Sequence, residues 1–256
     1  MKILHLSYSS CNGAGNAARR LHESLKRVDC CHSTFVYFQP YQNSHAQIGW
    51  LEKKINGLAN ILIQNIAKSE SLNIVPTSLL RYINRSDADI VHLHWIQGEM
   101  ISINQIAKIT KPIVWTFHDM WPVCGSEHYT HERDYIDGYE NDKADLTCRG
   151  SVHWIRRWTW NRKRKAFSAM HFKVLTPGTW MTSCAKESHL FKHMDCETLF
   201  NPLDTSIFYP HDNVVACKQK YKIPLDKKII LFGACKPTET RKGWDLLLKA
   251  LALLNG

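Results

Sequence analysis

Short apolar runs alternate along this chain with longer stretches in which apolar residues recur every three or four positions. The runs predict strands that are covered on both faces, and the periodic stretches predict helices. The predicted strands are residues 2–8, 34–38, 89–94, 113–118, 172–175, 197–200 and 228–232. The predicted helices are residues 16–28, 51–67, 78–84, 101–109, 152–167, 179–187 and 243–254. This alternation favours an α/β fold with a doubly wound, mostly parallel sheet.

A change in composition divides the chain near residue 200. Residues 201–224 hold three prolines and few apolar runs, which predicts a linker. Residues 1–200 would form a complete N-terminal domain, and residues 225–256 would supply only the first βα unit of a second domain. A lone βα unit cannot bury both faces of its strand. We therefore expect this unit to need a docking surface or a partner chain.

The charge of the chain favours an anionic partner. Its formal net charge is +10, which suits a phosphorylated small molecule, an anionic membrane surface or nucleic acid. No apolar run reaches the roughly 18 residues that a membrane-spanning helix needs. The nine cysteines include no CxxC pair, so we expect reduced thiols and a cytoplasmic location.

A glycine-containing loop follows the first predicted strand. It reads SSCNGAGN and places Gly13, Gly15 and Asn16 at the start of a helix, where a phosphate or sugar would be favoured. A tight strand-to-helix turn would explain the same glycines. The dinucleotide-binding fingerprint is incomplete, and no acidic residue ends the strand at 34–38, so a dehydrogenase is disfavoured.

Polar residues also follow the predicted strand at 113–118. His118 and Asp119 lie where open α/β sheets bind ligands, at the carboxyl end of a strand. The next roughly thirty residues lack periodicity, as functional loops of that length do. Glu127 and His128 in this loop are candidates for an acceptor or sugar pocket. A structural hydrogen-bonding role is the alternative for each of them.

Two histidines alternate on the predicted strand at 89–94. His92 and His94 therefore point to one face, and with His118 they could be drawn as a metal trio. Hydrogen-bonded core or pocket-wall histidines explain the pattern better. We assign His94 to the pocket and expect no metal.

Residues 154–165, WIRRWTWNRKRK, combine six basic side chains with three tryptophans. Such a helix suits an anionic membrane interface, although nucleic-acid phosphate or a surface helix with inward-packed tryptophans would also explain it. No recognised nucleic-acid module accompanies it, so we expect no nucleic-acid partner. The candidate membrane-facing residues are Trp154, Arg156, Arg157, Trp158, Arg162, Lys163 and Arg164.

Three cations surround the last predicted helix start. Lys236, Arg241 and Lys242 lie before residues 243–254, where positive charge opposes the helix dipole. Their position is better explained if an anion binds between them. A solvated charge cluster is the alternative.

Seven segments together resemble the family 4 glycosyltransferases, the retaining GT-B enzymes of bacterial polysaccharide assembly. The segments are MKILHLSYSSCNGAGNAARRL, DIVHLHW, PIVWTFHDMWPVCGSEHY, RWTWNRKRKAF, LTPGTWM, FNPLDTSIFYP and RKGWDLLLKAL. They occur in the family's order along the whole chain. The resemblance is greatest to members assigned to exopolysaccharide, lipopolysaccharide outer-core and O-antigen assembly.

The resemblance implies two Rossmann-like domains of the GT-B type. The donor would be a nucleotide-diphosphate sugar and the acceptor a saccharide or a lipid-linked saccharide, at the inner face of the plasma membrane and without a metal. Gly13 and Gly15 match the diphosphate loop, and His118 matches the histidine that contacts the transferred sugar. Lys242 matches the lysine that neutralises the leaving diphosphate, and Lys236 lies near its usual partner. Asp119 is a further catalytic candidate.

The chain departs from the family pattern in its length. Family members normally continue into a segment that carries a glutamate pair for the donor, and that segment is absent here. We therefore expect this chain to bind nucleotide sugar weakly and to turn over slowly or not at all. The alternative hypothesis is a non-catalytic acceptor-binding or partner-binding subunit of a split glycosyltransferase.

Overall fold

The computed structural model describes residues 1–38, 50–66, 70–139, 152–210, 212–234 and 236–254. The chain divides into two compact units, Met1–Leu203 and Asp204–Gly256. The first unit contains a parallel sheet and most of the helices.

Six parallel strands form the sheet of the first unit, in the order β2-β1-β3-β4-β5-β6. The strand order reverses beside β1, which is compatible with a doubly wound, Rossmann-like α/β fold. The α/β class and the parallel sheet are thus confirmed. The strands are β1 (Lys2–Ser7), β2 (His32–Tyr37), β3 (Ile90–Leu93), β4 (Ile113–Thr116), β5 (Phe172–Thr176) and β6 (Asp195–Thr198).

Seven α-helices connect or flank these strands within the described part of the first unit. They are α1 (Gly13–Leu25), α2 (Trp50–Ile66), α3 (Leu79–Arg85), α4 (Ile103–Ile106), α5 (Asp134–Asp137), α6 (His153–Phe167) and α7 (Thr179–Glu187). No helix in the described ranges combines the length and apolar character that crossing a membrane requires.

The central strands are buried because helices cover both of their faces. Leu6, Val91 and Leu93 are fully buried, and Trp115 on β4 packs edge-on against Phe172 of β5. The run of apolar side chains on neighbouring strands produces one continuous core. This burial on both faces explains why β1, β3 and β4 read as apolar runs rather than as alternating patterns.

The sixth strand begins earlier than the sequence predicts. We expected it at residues 197–200, but it spans Asp195–Thr198. The apolar Leu199 and Phe200 favoured the later position. Both residues instead follow the strand and are largely exposed.

The turn from β1 into α1 is tight at Gly15. Asn12 is the N-cap residue, and its side chain accepts a 2.7 Å hydrogen bond from the backbone N–H of Gly15. A Cβ atom on Gly15 would lie 2.1 Å from the carbonyl oxygen of Ser9. A Cβ atom on Gly13 would meet nothing within 4 Å. Close backbone approach therefore requires glycine at position 15 but not at position 13.

The second unit differs from the βα unit that the sequence predicts. Residues 228–232 form no strand, so that prediction is wrong. Ile229, Ile230 and Leu231 are exposed, Leu231 at 92%. The predicted helix is present as α9 (Trp244–Leu254). A helix that was not predicted, α8 (Val214–Lys220), lies inside the predicted linker 201–224. Strand pairing requires a neighbouring strand, and no strand is assigned in the described part of this unit.

The two glycines of the first loop give a matched stability test. We expect Gly15→Ala to lower the free energy of unfolding by about 2 kcal/mol or more, because the Ser9 carbonyl must move. Gly13→Ala should be neutral or slightly stabilising, because alanine reduces the freedom of the unfolded chain. Urea unfolding measures both. Equal stability of the two variants would contradict the close approach at Gly15.

Candidate functional site

A pocket lies at the carboxyl ends of β3 and β4, close to the point where the strand order reverses. Its volume is about 100 Å³. Ala17 and Leu21 of α1 form one side, residues 199–202 form another, and His94, Thr116 and His118 form its floor. Ligands of open α/β sheets bind at such positions. The structure therefore brings His94 and His118 together at one pocket.

The pocket histidines continue inward as a hydrogen-bonded row. Nε2 of His118 lies 3.1 Å from Nδ1 of His94, and Nε2 of His94 lies 3.2 Å from Nδ1 of His5. The fourth ring, His92, stacks on His94 with centroids 4.1 Å apart and contacts Thr116 Oγ1 through Nε2 at 2.8 Å. The orientation of His118 is thus determined by a buried chain of imidazoles.

Burial keeps these imidazoles uncharged. Burial lowers the pKa of His5 to about 3 and, despite the opposing charge of Asp119, that of His118 to about 4. The pKa values of His92 and His94 are also well below the usual value, first through burial and then through the neighbouring histidines. The site therefore presents a neutral imidazole to the pocket at neutral pH.

These shifts predict acid sensitivity. The folded-state pKa values of His5 and His118 lie below the unfolded value of about 6.5. At a pH between the folded-state and unfolded-state values, the unfolded chain therefore binds more protons than the folded chain. We expect the free energy of unfolding to fall as pH drops below about 6.5, by at most about 1.4 kcal/mol per pH unit for each such histidine. Urea unfolding from pH 7.5 to 4.5 measures this. A stability that stays level between pH 6.5 and 5 would exclude neutral buried histidines.

The carboxylate next to His118 is occupied by structural contacts. Asp119 accepts hydrogen bonds from Trp95 Nε1 (2.7 Å), Gln97 Nε2 (3.0 Å), the Trp121 backbone N–H (3.1 Å) and His128 Nδ1 (2.7 Å). Four donors use the acceptor capacity of a carboxylate. The prediction of a catalytic role for Asp119 is therefore not supported by its geometry, which instead makes it the residue that orients the loop after β4.

His128 belongs to this structural cluster. Its Nε2 atom lies 3.0 Å from Ser71 Oγ, and its ring stacks on Trp95 with centroids 5.6 Å apart. Both ring nitrogens therefore have partners, since Nδ1 bonds Asp119. His128 does not line the pocket described above, so the prediction that it belongs to the pocket is wrong for this pocket.

Glu127 is buried away from the pocket. Its Oε1 atom accepts a hydrogen bond from the Tyr139 hydroxyl, and its Oε2 atom lies 3.7 Å from Nε of Arg156. Burial raises its pKa above the usual value. Glu70 pairs with the same arginine, with Nη2 of Arg156 at 2.6 Å from Oε1. Glu127 therefore does not line the pocket described above, because an internal ion-pair network uses its side chain.

The basic helix α6 directs several of its cations inward. Lys163 is fully buried, and its Nζ atom donates to the carbonyl oxygens of Trp121, Cys124 (3.0 Å) and Gly125 (2.6 Å). The same atom lies 3.6 Å from the Trp121 ring centroid. Burial lowers the pKa of Lys163 to about 7, but three carbonyl acceptors favour the ammonium form. The predicted membrane-facing role of Lys163 is wrong.

Two further residues of α6 also have internal partners. Arg162 donates to the Leu72 carbonyl at 2.8 Å and to the Asn73 carbonyl at 3.0 Å, and Arg156 pairs with Glu70. These contacts connect α6 to neighbouring loops. Because both arginines are only partly buried, their membrane-facing role stays a prediction.

The outer face of α6 keeps part of the predicted surface. Trp154 and Trp158 are 63% and 44% exposed, whereas Trp160 is buried. Arg164 is exposed and Arg157 is half-buried. A membrane-facing role for Trp154, Arg157, Trp158 and Arg164 stays a prediction.

The glycine loop lies between β1 and α1, as expected, and its hydrogen bonds are mostly to residues of the same loop and helix. The Gly15 N–H is taken by Asn12, and Asn16 donates from Nδ2 to the Cys11 carbonyl at 3.1 Å. The Asn16 Oδ1 atom accepts from Arg19 at 3.3 Å. The close approach at Gly15 is thus explained by the turn itself. Diphosphate contact by Gly13, Gly15 and Asn16 stays a prediction.

The predicted phosphate cations of the second unit lie on its surface. Lys236, Arg241 and Lys242 are exposed, and Arg241 forms a two-bond pair with Glu239 at 3.0 and 3.1 Å. Arg241 and Lys242 belong to a single 3₁₀ turn, Thr240–Lys242, which ends at Gly243 in the left-handed conformation (φ 73°). Their role in diphosphate binding stays a prediction.

Three parts of the site were not predicted from the sequence. His5 and Thr116 lie in predicted strands, and residues 199–202 were assigned to a strand end and a linker. One signal was available, because His5 is a polar residue inside a strand that was expected to be buried on both faces. The wall formed by residues 199–202 depends on where β6 ends.

Comparison of the chain with protein-family models and with curated proteins finds no match. The structure shows an α/β domain with a six-stranded parallel sheet, compatible with a Rossmann-like fold, and a histidine-lined pocket.

The buried lysine and its exposed neighbour give a second matched test. We expect Lys163→Met to lower the free energy of unfolding by about 3 kcal/mol, because three buried carbonyl groups lose their donor. Lys165→Met, on the exposed side of the same helix, should change it by less than about 0.5 kcal/mol. Urea unfolding compares them. A Lys163 variant as stable as the Lys165 variant would contradict the interior role.

Proposed function

We propose that this protein is a glycosyltransferase of the family 4, GT-B type. It transfers a sugar from a nucleotide-diphosphate donor to a saccharide or lipid-linked acceptor. The observation that carries the proposal is the neutral, oriented His118 in a pocket at the carboxyl ends of β3 and β4, beside the start of α1. The resemblance of the HDMWP and RKG segments to that family supports the same reaction.

A neutral imidazole suits contact with a transferred sugar. It offers one hydrogen bond to a hydroxyl without placing a positive charge beside a reacting carbon that itself becomes electron-poor. His94 orients the ring by contacting its Nε2 atom, so the other ring nitrogen is the one available to ligand. His118 therefore positions the sugar in this proposal.

The leaving group requires positive charge. As the bond between sugar and phosphate breaks, negative charge develops on the diphosphate, and fixed cations or N–H groups lower the barrier. Lys242, Arg241 and Lys236 take this role in the proposal. All three residues are exposed, and Arg241 would exchange its pairing with Glu239 for a phosphate.

The acceptor side of the proposal includes a membrane surface. The exposed Trp154 and Trp158 on α6, with Arg157 and Arg164 nearby in sequence, are the residues proposed to contact anionic lipid. This would keep the protein at the inner face of the membrane, where lipid-linked acceptors are available.

A second candidate is a non-catalytic module that binds an acceptor or a partner chain. The apolar side chains of α9 favour it, since Leu246, Leu253 and Leu254 are 63%, 83% and 76% exposed. Transfer of radiolabelled sugar from donor into a bacterial lipid extract distinguishes the two candidates. Transfer supports the enzyme, and binding of the lipid extract without transfer supports the module.

Saturation-transfer NMR tests the donor proposal directly. With a panel of UDP- and GDP-sugars, we expect signal transfer to both nucleoside and sugar protons, because this method detects weak binding. His118→Asn should lower the sugar signals selectively. Lys242→Ala should lower all donor signals.

Two exposed positions supply the controls. His171→Asn and Lys249→Ala should leave every signal unchanged. If no donor in the panel received saturation from the protein, the proposed function would be contradicted. Equal sugar signals in wild type and His118→Asn would contradict it as well.

A further inference from the structure

The strand register places three histidines side by side inside the first unit. His5 of β1 is the direct neighbour of His92 of β3 in the parallel pairing, and His94 follows two residues later on the same face. All three are buried. One ring nitrogen from each lies within 4.8 Å of the other two.

One nitrogen of this group has no partner. Nε2 of His5 has no hydrogen-bond partner, and the whole side chain is inaccessible to solvent, so water cannot supply one. A buried nitrogen of this kind destabilises a protein by roughly 1–3 kcal/mol. Only Nδ1 of His5 has a hydrogen-bond partner, so hydrogen bonding accounts for half of the polar capacity of this buried ring.

The three rings are in the protonation state that binds metal. Metal ligation requires neutral imidazole, and burial keeps these histidines neutral at pH 7. Three neutral imidazoles suit zinc and its first-row neighbours and exclude magnesium and calcium, which prefer oxygen.

The surroundings supply the outer contacts that such sites use. His94 bonds His118 through Nδ1 at 3.1 Å, and His92 bonds Thr116 Oγ1 through Nε2 at 2.8 Å. Contacts of this kind hold a ligating ring in its tautomer and orientation. His94 also lines the neighbouring pocket. A water or an anion would complete a tetrahedral ligand set.

We propose that His5, His92 and His94 form a binding site for a divalent transition-metal ion of the zinc class. Nδ1 of His5 and Nε2 of His94 already lie 3.2 Å apart, close to the roughly 3.4 Å between two ligands of a tetrahedral zinc ion. The metal replaces the hydrogen bond between these two atoms, and His92 supplies the third ring of a group whose ligand atoms lie within 4.8 Å of one another. The site does not depend on the proposed sugar transfer.

Cobalt titration tests the site, with Co²⁺ as the visible probe for Zn²⁺. We expect one ion per chain and the intense visible absorption of tetrahedral cobalt, without a thiolate charge-transfer band. His5→Gln should weaken binding more than about tenfold. The near-isosteric Thr116→Val should weaken it about tenfold through His92. The exposed-site control His171→Gln should bind like wild type.

X-ray absorption of the wild-type zinc complex provides a readout that does not depend on the folding of a variant. We expect imidazole nitrogens at about 2.0 Å and no sulfur shell. No ion bound after dialysis against Zn²⁺, a sulfur shell, or Co²⁺ affinity unchanged in His5→Gln would overturn the proposal.

Discussion

The parallel register of β1, β3 and β4 is the constraint on which the candidate site depends. Pairing of Leu6 with Leu93 and of Leu93 with Trp115 aligns the strands so that their carboxyl ends meet at one edge. Because side chains alternate along a strand, a slip of one residue would turn the histidines to the opposite face. The apolar neighbours of the histidines are fully buried, so such a slip would also expose the core. Core packing thus determines the position of the site.

A buried cation supports the loop that follows β4. Lys163 holds three carbonyl groups of residues 121–125, and Gly125 packs so close to α6 that a Cβ atom would lie 2.3 Å from the Arg156 carbonyl oxygen. Asp119 secures the beginning of the same loop through four donors. His118 directly precedes this loop. Its backbone position is therefore supported by the loop contacts, and its ring is oriented by His94.

The sequence predicts the sheet well and the site only in part. Apolar runs identify β1, β3 and β4 because helices cover both of their faces, and the carboxyl ends of those strands locate His94 and His118. The same reasoning fails for the basic helix. Charge composition indicates a surface, whereas the inward direction of Lys163 depends on carbonyl groups from a loop that is distant in sequence. The contacts of Glu127 and Asp119 were not predictable for the same reason, since their partners come from several separate segments. Residues 228–232 have the composition of a strand. A strand also needs an adjacent strand to pair with, and local composition cannot predict that.

Neutral histidines in a row are the feature that connects the fold to the proposals on function. The most direct test is ¹⁵N NMR of the histidine rings near pH 6, with and without nucleotide-diphosphate sugar. We expect neutral imidazoles at His5, His92, His94 and His118, and donor-dependent shifts at His118 and His94. Protonated rings at these four positions, or donor-dependent shifts confined to exposed histidines, would contradict this expectation.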